Sequence, residues 1–83
     1  MNTTTIISLI GWIGSISYLS AYVLVSLKKL EGDSIPFQVL NLIGGLFLGI
    51  NTFYNTAYPA TALNLAWIGI ALYTIVKKKL SAI

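Results

Sequence analysis

Apolar residues form three long segments along the chain, and short polar or charged stretches separate them. The segments run from Ile6 to Leu27, from Ile35 to Tyr54 and from Tyr58 to Val76. Each has close to the ~20 residues that an α-helix needs to cross the hydrocarbon core of a bilayer. Backbone groups in lipid must pair within the protein, and three strands of this length would not close a barrel. The pattern therefore predicts an all-α membrane protein with three transmembrane helices, in which residues 1–83 form a single domain.

The charged residues are confined to two short clusters outside these segments. A formal charge at the bilayer centre costs about 2.5–3.5 kcal/mol on insertion scales, and all three apolar segments avoid this cost because they contain no charged residue. All five cations are lysines that follow the first and third segments, and none lies at the opposite ends. By the positive-inside rule this predicts an outside N-terminus and a cytoplasmic C-terminus. The first cluster contains Lys28, Lys29, Glu31 and Asp33, and the second contains Lys77, Lys78 and Lys79.

The amino-acid composition argues against several classes of function. The chain is 57% hydrophobic and contains no cysteine, histidine or arginine. Disulfides, thiolate metal sites and the usual acid–base or nucleophilic constellations are therefore absent, and we predict no enzymatic activity, no metal and no cofactor. The net charge of +3 does not form a basic stripe with interleaved aromatic residues, so we expect no nucleic-acid partner. The lysines are expected to meet the headgroups of the lipid bilayer.

Neutral polar and small residues within the segments are the remaining candidates for function. Gly45 and Gly49 form a minimal helix-packing motif. Asn41 and Asn64 lie inside apolar segments, where an amide without partners costs several kcal/mol. These two amides leave two interpretations open, namely hydrogen bonding between helices and the lining of a solute pathway. For Asn51, near the predicted outer surface, solvation is the simpler explanation. On the first helix, polar and small residues recur every three or four positions at Ser8, Gly11, Ser15, Tyr18, Tyr22 and Ser26.

The arrangement of these features resembles the SemiSWEET sugar transporters, bacterial half-transporters of the PQ-loop class. The stretch from Pro59 to Asn64 has the family's spacing between a helix-3 proline and an asparagine, and the stretch from Lys29 to Ser34 resembles its basic inner loop. The chain departs from the family at two positions. Ser20-Ala21 stands where the family has Pro-Gln, and Leu48 stands where it has a sugar-stacking tryptophan. The resemblance is therefore to a divergent branch that lacks the Pro-Gln motif.

The resemblance implies a SWEET-like bundle that forms a parallel homodimer in the bacterial inner membrane, with a solute pathway between the two copies. Physical reasoning agrees that three helices alone do not enclose a pathway, whereas two copies related by an axis along the membrane normal would do so. Asn64 carries over from the family's sugar-contacting residues. The candidate substrate-binding residues are Asn64, Asn41, Ser17, Ser20, Leu48 and Asn51.

Three functions are consistent with the sequence. The first is a dimeric, uncoupled facilitator of a small neutral solute such as a sugar, because the predicted spans contain no ionisable carboxylate or histidine for proton coupling. The second is a non-transporting structural or accessory membrane subunit, which the missing Pro-Gln and tryptophan favour. The third is a holin-like pore former, which shares three helices, this orientation and a basic tail.

Overall fold

The computed structural model describes residues 2–82 and consists of three α-helices that alternate in direction. They are α1 (Thr3–Ser26), α2 (Ile35–Tyr54) and α3 (Tyr58–Ala82). At 1.5 Å per residue, the shortest helix, α2, is about 30 Å long, which matches the hydrocarbon thickness. All three helices are long and apolar enough to cross a membrane. The prediction of an all-helical protein with three candidate membrane spans is confirmed.

Local signals explain where the helices begin. The Asn2 side chain caps α1 by accepting a hydrogen bond of 2.8 Å from the Thr5 backbone amide. Ser34 caps α2, and Pro36 lies in the first turn of that helix, where no amide donor is required. The bounds of α2 agree with the apolar segment. The third helix continues beyond Val76 to Ala82, because no glycine or proline interrupts it there and lysine is a good helix former.

The middle helix of the sequence is also the middle helix of the bundle. α2 packs against both neighbours, and within residues 2–82 no Cα of α1 lies within 8 Å of a Cα of α3. Glycine permits the closest approach: a Cβ at Gly14 would lie 2.7 Å from the Leu48 backbone nitrogen and 3.0 Å from the Gly44 carbonyl oxygen. On the other side of α2, a Cβ at Gly45 would lie 2.8 Å from Ile68 Cγ1. Glycine therefore lets the backbones of α1 and α2 meet, and it makes room for the Ile68 side chain of α3 against α2.

The interior is small and polar, whereas the surface is apolar. In the described part of the chain, no large side chain is fully buried, and bulky residues such as Leu63 and Leu65 are about 60% exposed. Membrane helices pack in this way because lipid solvates the apolar side chains, and small residues let the backbones approach. The buried residues are Gly11, Gly14, Ala21, Gln38, Asn41, Gly44, Gly45, Asn64 and Ala71.

Candidate functional site

A tyrosine of α1 crosses the middle helix and reaches α3. The Tyr18 hydroxyl donates a hydrogen bond of 2.8 Å to Asn64 Oδ1. Two glycines of α2 make room for it, since a Cβ at Gly44 would lie 2.7 Å from the Tyr18 ring and one at Gly45 would lie 3.3 Å from the Tyr18 hydroxyl oxygen. This hydrogen bond joins the two helices whose backbones do not meet. It accounts for one acceptor of the buried Asn64 amide, and we call this contact the Tyr18–Asn64 bridge.

A cleft adjoins this bridge and takes residues from all three helices. Its volume is about 290 Å³, near the lower end of the range for small-ligand pockets. Four of its lining side chains are aromatic, one is aliphatic and one is an amide. We call this site the aromatic cleft. Its lining residues are Tyr18, Tyr22, Val25, Phe37, Asn41 and Trp67.

Asn41 supplies the amide of the aromatic cleft. The residue is only 8% exposed, and none of residues 2–82 forms a hydrogen bond with its side chain. The described chain nevertheless contains no side-chain nitrogen or oxygen that is both fully buried and unpartnered, so the Asn41 amide keeps its accessible surface toward the cleft. An amide can offer two donors and two acceptor lone pairs. Asn41 is thus free to bind a polar group in the cleft.

The chemistry available in the aromatic cleft is that of binding. None of its six lining side chains carries a charge at neutral pH. Trp67 is 43% exposed and Tyr22 is 70% exposed, so both offer ring surface. Aromatic surface and one amide can hold an uncharged molecule that has an apolar face and a polar edge. The cleft lacks a carboxylate or an imidazole that could transfer a proton.

A second, shallower groove lies between α1 and α2 toward the other end of the bundle. It has a volume of about 210 Å³, and Leu48 and Asn51 line it together with residues of α1. The Asn51 side chain donates a hydrogen bond of 2.9 Å to the Ile7 carbonyl oxygen. A Cβ at Gly11 would lie 2.5 Å from Asn51 Nδ2, so the glycine makes this contact sterically feasible. In a single copy, Asn51 therefore holds α1 against α2.

The structure does not gather the candidate residues from the sequence into one cluster. Asn41 lines the aromatic cleft, and Asn64 lies beside it in the Tyr18–Asn64 bridge. Leu48 and Asn51 line the groove toward the opposite end. Ser17 and Ser20 are half-buried on α1 and line neither space.

Sequence reasoning overlooked two of the four aromatic residues that line the cleft, Trp67 and Phe37. Trp67 follows Asn64 by three residues, so the two share a helix face, and this spacing was the available signal. Phe37 precedes Asn41 by four residues on α2 for the same reason. Tyr22 belongs to the polar stripe of α1, yet only the structure shows it next to residues of α2 and α3.

The helices and their interior define the class of protein, which is an all-helical protein with three candidate membrane spans. The chain belongs to an uncharacterised protein family, whose family model matches residues 7–81. No curated protein and no solved structure matches it.

Proposed function

We propose that this protein is a SemiSWEET-like, dimeric and uncoupled facilitator of a small neutral solute such as a sugar. The single observation that carries the proposal is the accessible Asn41 amide in a cleft lined by aromatic side chains. In this chain Trp67 of α3 supplies aromatic surface. The SemiSWEET transporters have a sugar-stacking tryptophan on helix 2, where this chain has Leu48. The Asn41 amide forms no hydrogen bond within residues 2–82, so its donors and acceptors are available to a polar group of a solute in the cleft.

The distribution of charge supports a neutral solute and the absence of ion coupling. The lining of the aromatic cleft is uncharged, and every charged residue lies after α1 or near the end of α3. Ion-coupled transport ordinarily uses ionisable side chains within the membrane. Movement down a concentration gradient requires none.

A second copy of the chain would complete the pathway. In one copy the aromatic cleft is open at its side, and three helices do not surround a solute. Several polar side chains of α1, including Ser15 and Ser26, are exposed although the helix is apolar enough to span. A parallel partner, related by an axis along the membrane normal, would cover such a face and enclose the cleft. The proposed location is the bacterial inner membrane, with the N-terminus outside and the C-terminus cytoplasmic.

The test is solute flux in proteoliposomes, with uncharged monosaccharides and glycerol as probes. We expect Asn41→Leu to lower the flux about tenfold, because the loss of a hydrogen bond of about 1.4 kcal/mol corresponds to that factor. Trp67→Leu should also lower it. Trp12→Leu is the matched control for the aromatic cleft, since Trp12 lines the groove toward the other end of the bundle and should leave binding in the cleft unchanged. Flux equal to wild type in both cleft variants would refute the proposal, provided that circular dichroism shows that they are folded.

A structural or accessory subunit is the second candidate, and a specific observation favours it. Two of the buried or half-buried amides, Asn51 and Asn64, already form hydrogen bonds between helices. Such amides stabilise a bundle without any need for a solute. Purification of the chain as a stable homodimer without other subunits would count against this alternative. Its recovery only in complex with other membrane proteins would replace the facilitator proposal.

A further inference from the structure

The end of the molecule that carries the charge clusters also contains a cavity. Its volume is about 570 Å³, and it lies between the loop that joins α1 to α2 and the last turns of α3. All six lining side chains carry a polar or charged group. We call this site the basic cavity. Its lining residues are Asp33, Tyr73, Thr74, Lys77, Lys78 and Ser81.

The two lysines of the basic cavity differ in their partners. Lys78 Nζ lies 3.4 Å from Asp33 Oδ2, and the two side chains form an ion pair. Lys77 Nζ lies 5.9 Å from the centroid of the Tyr73 ring, within cation–π range, and has no carboxylate partner in that part of the chain. Two cations against one carboxylate leave the cavity with an excess positive charge. Lys77 is the cation that a bound anion would meet first.

The position of the cavity indicates which anion is at hand. α3 is apolar enough to span, and its candidate span extends to Ser81. Tyr73 and Lys77 therefore lie near the end of a span, where tyrosine and lysine side chains ordinarily reach the interface. Lipid phosphate groups occupy the same level. Basic pockets beside the cytoplasmic ends of membrane helices bind anionic headgroups.

We propose that the basic cavity binds the phosphate group of an anionic phospholipid. Lys77 provides the main charge, Lys78 shares its charge with Asp33, and the Ser81 hydroxyl is a further donor. Thr74 contributes less, because its hydroxyl already donates to the Ile70 carbonyl oxygen at 2.9 Å. The Asp33 carboxylate opposes the phosphate and limits its affinity. This proposal does not depend on whether the protein transports a solute.

A bound headgroup and a diffuse attraction between lysines and the membrane predict different mutational patterns. Diffuse attraction depends on charge alone, so Lys77 and Lys79 would contribute equally. A defined binding site predicts that Lys77 contributes more to lipid binding than Lys79. Lys79 does not line the basic cavity although it lies on the same turn of the helix. Removal of the Asp33 carboxylate should strengthen binding under both explanations, because it raises the net positive charge of this end of the molecule. The matched pair Lys77→Gln and Lys79→Gln therefore separates the two.

The experiment titrates the full chain in neutral detergent micelles with phosphatidylglycerol, with phosphatidylcholine as the neutral lipid and inorganic phosphate as the soluble anion. Native mass spectrometry measures the bound lipid. We expect Lys77→Gln to weaken phosphatidylglycerol binding about fivefold, the factor that corresponds to about 1 kcal/mol per lysine near a membrane surface. Lys79→Gln should weaken it less than twofold, and Asp33→Asn should strengthen it.

Two results would overturn the proposal. Equal losses in Lys77→Gln and Lys79→Gln would show diffuse attraction instead of a site. Displacement of the lipid by millimolar inorganic phosphate would show that the cavity selects a soluble phosphate and not a lipid. Circular dichroism of each variant excludes misfolding, which is not expected because Lys77 and Lys79 are both exposed.

Discussion

At the scale of single residues, glycine sets the distances between the helices. Gly14 faces backbone atoms of α2, whereas Gly69 has no atom within 4 Å of the position that its Cβ would take. The Gly45–Gly49 motif of the sequence does face a partner helix, because both positions approach atoms of α3. The sequence shows the glycines and their spacing. It does not show which of them a neighbouring backbone approaches, since that depends on contacts between residues far apart in the chain.

The pair Gly14→Ala and Gly69→Ala tests this packing. We expect Gly14→Ala to lower the free energy of unfolding in detergent by about 1–3 kcal/mol, because its Cβ would collide with backbone atoms that cannot rotate away. Gly69→Ala should cause no loss, since the new methyl group meets open space. Chemical unfolding followed by circular dichroism measures both. Equal stability of the two variants would contradict the close approach of α1 and α2.

At the scale of the helix, both connections contain a left-handed residue that is not glycine, directly after the helix C-cap. Lys28 has φ of 61° and Thr56 has φ of 58°. After each of them a backbone amide bonds back to the preceding helix, from Lys29 to Leu24 at 2.8 Å and from Ala57 to Thr52 at 2.8 Å. These are Schellman motifs, which usually place glycine at the left-handed position. The glycine of the first connection, Gly32, does not have positive φ. The position of glycine in the sequence therefore gives the wrong residue for the left-handed turn, which lies at Lys28.

We expect Thr56→Gly to stabilise the protein. A left-handed conformation costs an L-residue roughly 1–2 kcal/mol, and glycine avoids this cost but loses roughly 0.5–1 kcal/mol through chain entropy. The net gain in the free energy of unfolding should be about 0.5–1 kcal/mol. Thermal unfolding in detergent measures it, with Ala57→Gly as the control, because Ala57 lacks positive φ. A gain of similar size in the control would contradict the explanation.

At the scale of the whole molecule, contacts between elements show which ends lie together. The Lys78–Asp33 ion pair brings the first connection and the end of α3 to one end of the bundle. At the other end, the Asn51 side chain meets the carbonyl oxygen of Ile7 near the start of α1. All of the charged side chains are therefore at one end, which is the asymmetry that the positive-inside rule uses. We propose that this charged end faces the cytoplasm.

Single-cysteine labelling tests the proposed direction, since the chain contains no cysteine of its own. A membrane-impermeant maleimide applied to intact bacterial cells should label Asn55→Cys and should label Gly32→Cys only after the membrane is opened. Gly32 tolerates a side chain because nothing lies within 4 Å of its Cβ position. The reverse pattern would place the lysines outside and overturn the assignment.

The sequence by itself determined the spans and their separation by charge, because the length of an apolar segment and the cost of burying a lysine are local properties. It also identified Asn41 and Asn64 as amides that lie within apolar helices. Only the tertiary structure decided that Asn64 is engaged by Tyr18 whereas Asn41 is accessible in a cleft with Trp67. These roles depend on how α1 and α3 pack on either side of α2. That packing arises from glycine positions on α1 and α2 that no local pattern pairs with each other.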